Sequence, residues 1–205
     1  MCNQAMAPAD APSDWERDLV WRTSQARPED TARGVFFKGA LAAVRELGDA
    51  SAVRSCQEAL GEERFVDAFR YPIHSLLRTL SCAARQLAPG HGGGEAVLRE
   101  LGRRANANYL ASPLGRTVKM MTQGSPRRLM ENAANIHRQT MSFGALRVEW
   151  TGPSSGRVLR RGDFWPAAWQ EGALEYLLCA TGGQRVRVER EWVDGLDGGF
   201  VFAWG

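Results

Sequence analysis

The chain has 205 residues, of which 44% are hydrophobic and 24% charged. These values are typical of one globular domain that buries a sizeable core without covalent staples. The four cysteines form no CxxC pair and no tight cluster, so the sequence predicts neither a disulfide framework nor a zinc site. The net charge of +3 is mild. Because the N-terminus resembles no secretion signal and no run approaches ~18 apolar residues, we expect a soluble, cytoplasmic protein.

The first 29 residues are predicted to be a flexible leader. Ser13 and Glu16 have the spacing of a capping box, in which the side chain of each residue accepts a hydrogen bond from the backbone amide of the other, so a short helix is expected there. Residues 30–205 are then expected to form a single domain.

Apolar residues at helical spacing predict a series of helices over the first part of that domain, residues 30–142. Glycine and proline divide the series, since glycine ends helices and proline starts them. The predicted helices cover residues 31–47, 50–60, 62–70, 72–87 and 95–110, then run from 113 towards Gly124 and from 126 to about 137.

The sequence pattern changes in residues 143–205, where apolar and charged residues alternate. Such alternation is typical of half-buried strands. Strands are predicted over 145–150, 157–163, 184–193 and 200–204, with one helix that begins at Pro166 between the second and third. The order is strand, strand, helix, strand, strand, and it predicts an α+β domain with a helical layer packed on a twisted antiparallel sheet.

The third of these strands has two distinct faces. Val186, Val188, Arg190 and Trp192 are predicted to point towards the helices, although Arg190 interrupts the apolar set. The intervening residues are charged and are expected to form cross-strand pairs on a solvated face.

A search for catalytic chemistry finds no nucleophile with a partnered base. None of the three histidines, His74, His91 and His137, has the spacing of a metal site. His137 is the most informative, because it lies where the helical layer meets the sheet; it either caps helix carbonyls or faces a ligand. Cys56, Cys82 and Cys179 lie on or beside apolar stripes and are interpreted as small buried hydrophobes. An enzyme is therefore not predicted.

Aromatic side chains are numerous between the predicted helices and sheet, and the chain has seven tryptophans. Two interpretations stay open, a packed aromatic core and an aromatic-lined pocket for a ligand. The candidate pocket residues are Phe36, Phe37, Tyr71, Phe143, Trp165, Trp169 and His137.

Basic residues are concentrated between residues 85 and 140. They indicate either a solvated helical face or a surface for an anionic partner. The candidates for an anionic partner are Arg103, Arg104, Arg116, Arg127 and Arg128.

Seven segments, in order, resemble an uncharacterised family of proteins of about 200 residues that is found mainly in myxobacteria. They are DTARGVFFKG (30–39), RFVDAFRYP (64–72), LRELGRRA (98–105), SPLGRTV (112–118), SFGALRVEW (142–150), DFWPAAWQEGALEYLL (163–178) and FVFAW (200–204). The resemblance implies a shared fold and no particular activity.

At longer range, the C-terminal pattern is similar to four-vinyl-reductase-type domains, haem-nitric-oxide-binding domains and Bet3-type tethering subunits. That similarity implies a ligand or acyl chain buried between helices and sheet. The haem-binding group uses a Tyr-x-Ser-x-Arg run, whereas Tyr109, Ser112 and Arg116 have the right types at a different spacing. Neither haem nor zinc is therefore predicted, and the cofactor is left unassigned.

Together these observations predict a non-enzymatic domain that binds a hydrophobic small molecule or lipid, or acts as a sensor, through an apolar pocket between helices and sheet. The alternative is a protein-interaction adaptor, in which a homodimer or another protein is the partner. Nucleic acid ranks last among the partners, and no membrane span is expected.

Overall fold

The computed structural model describes residues 13–61 and 64–205, which form helices and two antiparallel sheets. The elements are α1 (Asp14–Gln25), β1 (Thr31–Arg33), α2 (Gly34–Leu47), α3 (Ala50–Leu60), β2 (Arg70–Pro72), α4 (Ile73–Leu87), α5 (Gly94–Ala111), α6 (Pro113–Thr122), α7 (Pro126–Thr140), β3 (Ala145–Gly152), β4 (Ser155–Arg161), α8 (Ala167–Ala180), β5 (Arg187–Asp194) and β6 (Asp197–Ala203). The predicted α+β class is confirmed.

Helix α1 begins at the predicted capping box. The amide and hydroxyl of Ser13 both donate to Glu16, at 2.9 and 3.0 Å. Leu19 is fully buried in the main hydrophobic cluster, and Arg85 of α4 forms an ion pair with Glu16. These contacts hold α1 against α4. The rest of the predicted leader, residues 1–12, lies outside the described residues, and the domain boundary after residue 29 stays a prediction.

Two helical predictions differ from the structure near the start of the domain: the helix predicted over 31–47 begins only at Gly34, and the helix predicted over 62–70 is absent from the described part of that range. Thr31–Arg33 is a strand that pairs with Arg70–Pro72, and residues 64–69 form neither helix nor strand. A residue before proline avoids helical geometry, so Tyr71 takes the extended backbone that the pairing uses. Residues 64–69 thus form an irregular segment that leads into β2, and residues 62 and 63 of the predicted helix lie outside the described residues.

Helix α2 starts at Gly34 because the chain is crowded there. The Gly34 amide donates to the Phe69 carbonyl at 2.8 Å. A Cβ atom on Gly34 would lie 2.3 Å from the Val66 carbonyl oxygen, a distance that no side chain tolerates. The close approach of residues 66–69 therefore requires glycine at the first position of this helix.

The main sheet has the strand order β3-β4-β6-β5, with every neighbouring pair antiparallel. Val188 is buried beneath α8, and Arg190 pairs with Glu171 of that helix at 3.1 Å. A bulge between Arg190 and Trp192 shifts the strand register. Trp192 is consequently 42% exposed and lies over Gly199, so its predicted place on the covered face is wrong.

The helical layer meets the sheet through α7 and α8. A cluster of buried side chains fills this boundary: Met130, Val158, Leu174, Leu178, Val188, Phe200 and Phe202. Helices α5 and α8 pack so closely that their backbones are in contact at Gly102 and Gly172. This crossing fixes the position of α8 between the other helices and the sheet.

The cysteines differ in their surroundings. Cys56 is buried, Cys82 is half-buried and Cys179 is exposed, so the interpretation of Cys179 as a buried hydrophobe is wrong. Burial, together with the neighbouring Cys82 thiol, raises the pKa of the Cys56 thiol. Cys56 therefore stays protonated at neutral pH and packs as an apolar side chain.

No helix in the described part of the chain is long and apolar enough to cross a membrane.

Candidate ligand-binding cleft

A cleft of about 90 Å³ lies where α2, α5, α7 and α8 meet the first two strands of the main sheet. Most of its lining is apolar. The lining residues are Phe36, Asn106, Tyr109, Leu129, Met130, Ala133, Ile136, His137, Thr140, Met141, Leu146, Arg160, Trp165, Trp169, Gln170, Ala173, Leu174 and Leu177. The cleft thus collects side chains from segments that are far apart in the sequence.

Four of the seven candidate pocket residues line this cleft: Phe36, His137, Trp165 and Trp169. The other three lie elsewhere. Phe37 and Tyr71 pack with Phe65 in a separate aromatic group, with ring centroids 4.8–5.6 Å apart. The ring of Phe143 packs edge-to-face with the rings of Phe164 and His137. A ligand-contacting role for any of the seven stays a prediction.

One wall of the cleft is a continuous row of aromatic rings. Trp165 and Trp169 are stacked at 4.8 Å with their planes 5° apart. Phe36 lies 5.7 Å from Trp165, and Tyr109 stacks on Phe36 at 5.2 Å. The planar faces of such rings suit flat or aliphatic groups of a ligand.

His137 is buried at the end of α7, and its Nε2 lies 2.9 Å from the Phe143 carbonyl oxygen. A carbonyl oxygen only accepts hydrogen bonds, so Nε2 carries the proton. Burial is the main cause that lowers the pKa of His137 below its ordinary value, and the nearby Asp163 only partly opposes it. The imidazole is therefore uncharged at neutral pH and bonds a carbonyl next to its helix end.

Substituting His137 with glutamine is expected to weaken the pH dependence of stability. Because the folded-state pKa is depressed, the stability contributed by the neutral imidazole is fully present above the unfolded value near 6.5. It is lost as the pH falls from there through the folded pKa. Urea unfolding between pH 7.5 and about 5.5 measures the slope, which His137→Gln should flatten.

A buried ionic network closes one side of the cleft. The Asp163 carboxylate accepts from Arg160 Nη1 at 2.6 Å, from Gln170 Nε2 at 3.0 Å and from the Trp165 amide at 2.9 Å. Arg22 of α1 donates to the Asp163 carbonyl at 2.9 Å. The network ties α1, β4 and α8 together, and it places a charge-balanced pair next to the aromatic wall.

Two buried polar atoms of the cleft lining have no hydrogen-bond partner among the described residues: the Tyr109 hydroxyl and Arg160 Nε. Tyr109 is 2% exposed and Arg160 is 9% exposed. Burial raises the pKa of Tyr109 to about 12, so its hydroxyl remains protonated. Buried groups of this kind are rare, because each costs free energy unless a ligand or water satisfies it.

Sequence reasoning did not assign Arg160, Gln170 or Asn106 to a site. The one local signal was that Arg160 and Asp163 carry opposite charges three residues apart, directly before the aromatic residues Phe164 and Trp165.

The candidate arginines for an anionic partner are spread over three helices. Arg103 and Arg104 of α5 pair with acids, including Glu175 and Glu46. On α7, Arg127 pairs with Glu131, whereas Arg128 bonds a glutamine side chain. Arg116 of α6 donates to the Ala111 carbonyl at 2.9 Å. Binding of an anionic partner here stays a prediction.

Solved structures define the class of fold. A double variant of the Tt H-NOX protein superimposes with a TM-score of 0.64 at 13% identity, covering 84% of this chain and 94% of that chain. An oxygen-binding H-NOX domain related to soluble guanylate cyclases, solved as its oxygen complex, gives 0.63 at 12% identity with the same coverage. The Fe(II) unliganded H-NOX protein from K. algicida gives 0.61 at 12%, covering 84% and 96%. The chain therefore has an H-NOX-like fold, as the long-range resemblance implies.

The chain belongs to the family described as a protein of unknown function, DUF2378, whose profile matches residues 25–205. Membership of an uncharacterised family is thus confirmed, whereas its myxobacterial origin stays a prediction. A search of curated proteins finds no significant match.

Another similar structure concerns haem distortion in the H-NOX family, and the cleft of this chain can be compared with the space and side chains that haem needs. The cleft volume of about 90 Å³ is far below the ~300–1,000 Å³ of pockets for larger ligands. His137, the histidine of the lining, directs Nε2 at the Phe143 carbonyl. The Ser112 hydroxyl, which also caps α6, donates to the Tyr109 carbonyl at 2.7 Å. These residues do not fit haem, and no haem chemistry is assigned to them.

Proposed function

We propose that this protein is a non-enzymatic domain that binds a small hydrophobic molecule in the cleft between α5, α7 and α8. The observation that carries the proposal is the aromatic and aliphatic lining, contributed by both the helical layer and the sheet. A ligand there contacts α2, α7, α8 and β3 at once, so its binding can bias how helices and sheet pack. That coupling is the physical basis of a sensory role.

The H-NOX-like fold supports this proposal by analogy of architecture alone, since fold and function are separable. The lining supports it more directly. Binding sites are concave, mostly apolar and supplied with a few polar groups that orient the ligand. The cleft has these features, with Tyr109, Arg160 and Gln170 as polar groups within an aromatic and aliphatic surface.

Native and denaturing mass spectrometry of the freshly purified chain tests the proposal. The expected result is additional mass on the native protein that is lost on denaturation. The same spectra give the oligomeric mass, which tests the alternative function of a protein-interaction adaptor. A native mass equal to that of the bare chain contradicts the retention of a tightly bound ligand and favours the alternative of a protein-interaction adaptor.

Filling the cleft should abolish retention of the ligand. Ala133 of α7 lines the cleft and is half-buried, so Ala133→Leu extends into the space without removing a core side chain. The adjacent Ala134 is also half-buried but is not part of the lining, which makes Ala134→Leu the matched control. We expect the additional mass in the wild type and Ala134→Leu and its absence in Ala133→Leu. Equal retention by all three proteins would place the ligand elsewhere.

A further inference from the structure

Polar atoms inside an apolar cavity specify the chemistry of its ligand more closely than its size does. Each of the other polar side chains of the lining makes at least one hydrogen bond within the protein. Asn106 donates to the Gly102 carbonyl at 2.9 Å, and Thr140 donates to the Ile136 carbonyl at 2.8 Å. Gln170 donates to Asp163, and His137 to Phe143. Tyr109 and Arg160 alone in this lining retain unpartnered buried atoms.

Both atoms can donate a hydrogen bond to an acceptor atom of a ligand. Arg160 Nε is a donor only, since a guanidinium accepts nothing. The Tyr109 hydroxyl is protonated at neutral pH and can donate as well as accept. An oxygen atom of a ligand therefore satisfies either of them, whereas a hydrocarbon leaves both unpaired at the full cost of their desolvation.

The charges around the cleft favour an uncharged ligand. Arg160 contributes the positive charge of the lining, and Asp163 balances it at 2.6 Å. The His137 imidazole is neutral because burial lowers its pKa. An anion would bring a net negative charge into a poorly solvated space, where an unbalanced charge is costly.

The volume limits the ligand to a few non-hydrogen atoms. An engineered apolar cavity of roughly 150 Å³ holds benzene, and one water molecule needs roughly 10–15 Å³ of cavity space. The cleft of about 90 Å³ lies between these values. A long acyl chain or a flat tetrapyrrole exceeds it as the residues are placed.

We propose that the cleft selects a small, uncharged, oxygen-containing organic molecule, such as a ketone, aldehyde or alcohol, whose oxygen accepts a hydrogen bond from Tyr109 or Arg160 while its carbon skeleton packs on the aromatic wall. This inference rests on the proposed function and defines the ligand class of that same site.

Three probes with one common skeleton separate the alternatives: butanone, its alkene isostere 2-methyl-1-butene, and the anionic isostere propionate. Heteronuclear NMR titration of the full chain reports weak binding and shows which residues respond. We expect butanone to perturb cleft residues and to bind about tenfold more tightly than the alkene, the discrimination that one buried hydrogen bond provides. Propionate is expected to bind more weakly than butanone.

Tyr109→Phe tests the donor directly, because it removes the unpartnered hydroxyl and keeps the ring that stacks on Phe36. The preference for butanone over the alkene should decrease several-fold in this variant. Tyr176→Phe removes a hydroxyl from α8 outside the cleft lining and should leave the preference unchanged. The NMR spectrum of each variant shows directly whether it is folded.

Each possible result tests a different part of the proposal: the ligand class, the charge of the ligand or the proposed function itself. Equal binding of butanone and the alkene, unaffected by Tyr109→Phe, would overturn the inferred ligand class and leave an apolar binding site. Tightest binding of propionate would overturn the requirement for an uncharged ligand. If none of the three probes perturbs the cleft residues, the space holds water only and the proposed function itself fails.

Discussion

Replacing Asp163 with alanine is expected to lower the free energy of unfolding by about 3–5 kcal/mol, because it leaves the Arg160 guanidinium buried without its counter-charge. Asp163 is 2% exposed, and its carboxylate accepts three hydrogen bonds, from β4, from the following loop and from α8. Removing one member of a buried pair costs more than the net value of the pair itself. Urea unfolding at neutral pH measures the difference in the free energy of unfolding. The dependence of this free energy on urea concentration is compared between the two proteins.

The size of that loss should depend on the charge that remains. Asp163→Asn keeps the side-chain shape and one acceptor oxygen, so we expect a smaller loss than for alanine. The double variant Arg160→Met, Asp163→Leu removes both charges and should recover much of the stability lost in Asp163→Ala. If the double variant is as unstable as Asp163→Ala, the loss comes from packing and not from the unpaired charge.

Gly102→Ala is expected to destabilise the protein by about 3 kcal/mol, although alanine is the better helix former by ~1 kcal/mol. A Cβ atom at Gly102 of α5 would lie 2.2 Å from the Trp169 carbonyl oxygen of α8. The relation is reciprocal, since a Cβ at Gly172 of α8 would lie 1.9 Å from the Arg99 carbonyl oxygen. The obstacles are backbone atoms, so neither clash is relieved by turning a side chain.

Gly90→Ala provides the control for this prediction. Gly90 is exposed, and a Cβ there would have no neighbour within 4 Å. Its stability should remain within about 0.5 kcal/mol of the wild type in the same urea titration. A Gly102→Ala protein as stable as Gly90→Ala would mean that α5 and α8 separate without cost, which contradicts their close crossing.

The cleft and the residues of the two preceding predictions all lie around helix α8. Helix α8 carries Trp169, whose ring forms part of the aromatic wall and whose carbonyl faces Gly102. It also carries Gln170, which bonds Asp163. The glycine crossing fixes α8 against α5, and the ionic network fixes it against β4. Both therefore preorganise the wall on which a ligand packs, and preorganisation lowers the cost of binding.

Local patterns in the sequence determined most of the secondary structure. The helices over 73–87 and 94–111 follow from apolar residues at helical spacing and from the glycine and proline at their ends. The alternation over 145–152 likewise predicted β3, and the order of elements after residue 143 gave the α+β class. These features depend on neighbours within a few residues, which is why a single sequence reveals them.

Tertiary structure decided what depends on distant partners. The pairing of Thr31–Arg33 with Arg70–Pro72 overrode the helix predicted to begin at residue 31, and the bulge in β5 turned Trp192 towards solvent. The cleft depends on the same kind of contact. Side-chain type marked Phe36 and Trp169 as aromatic, but only the packing of helices on the sheet buries the Tyr109 hydroxyl where no described residue bonds it. Burial and hydrogen-bond satisfaction are properties of the assembled fold, so residue spacing alone does not encode them.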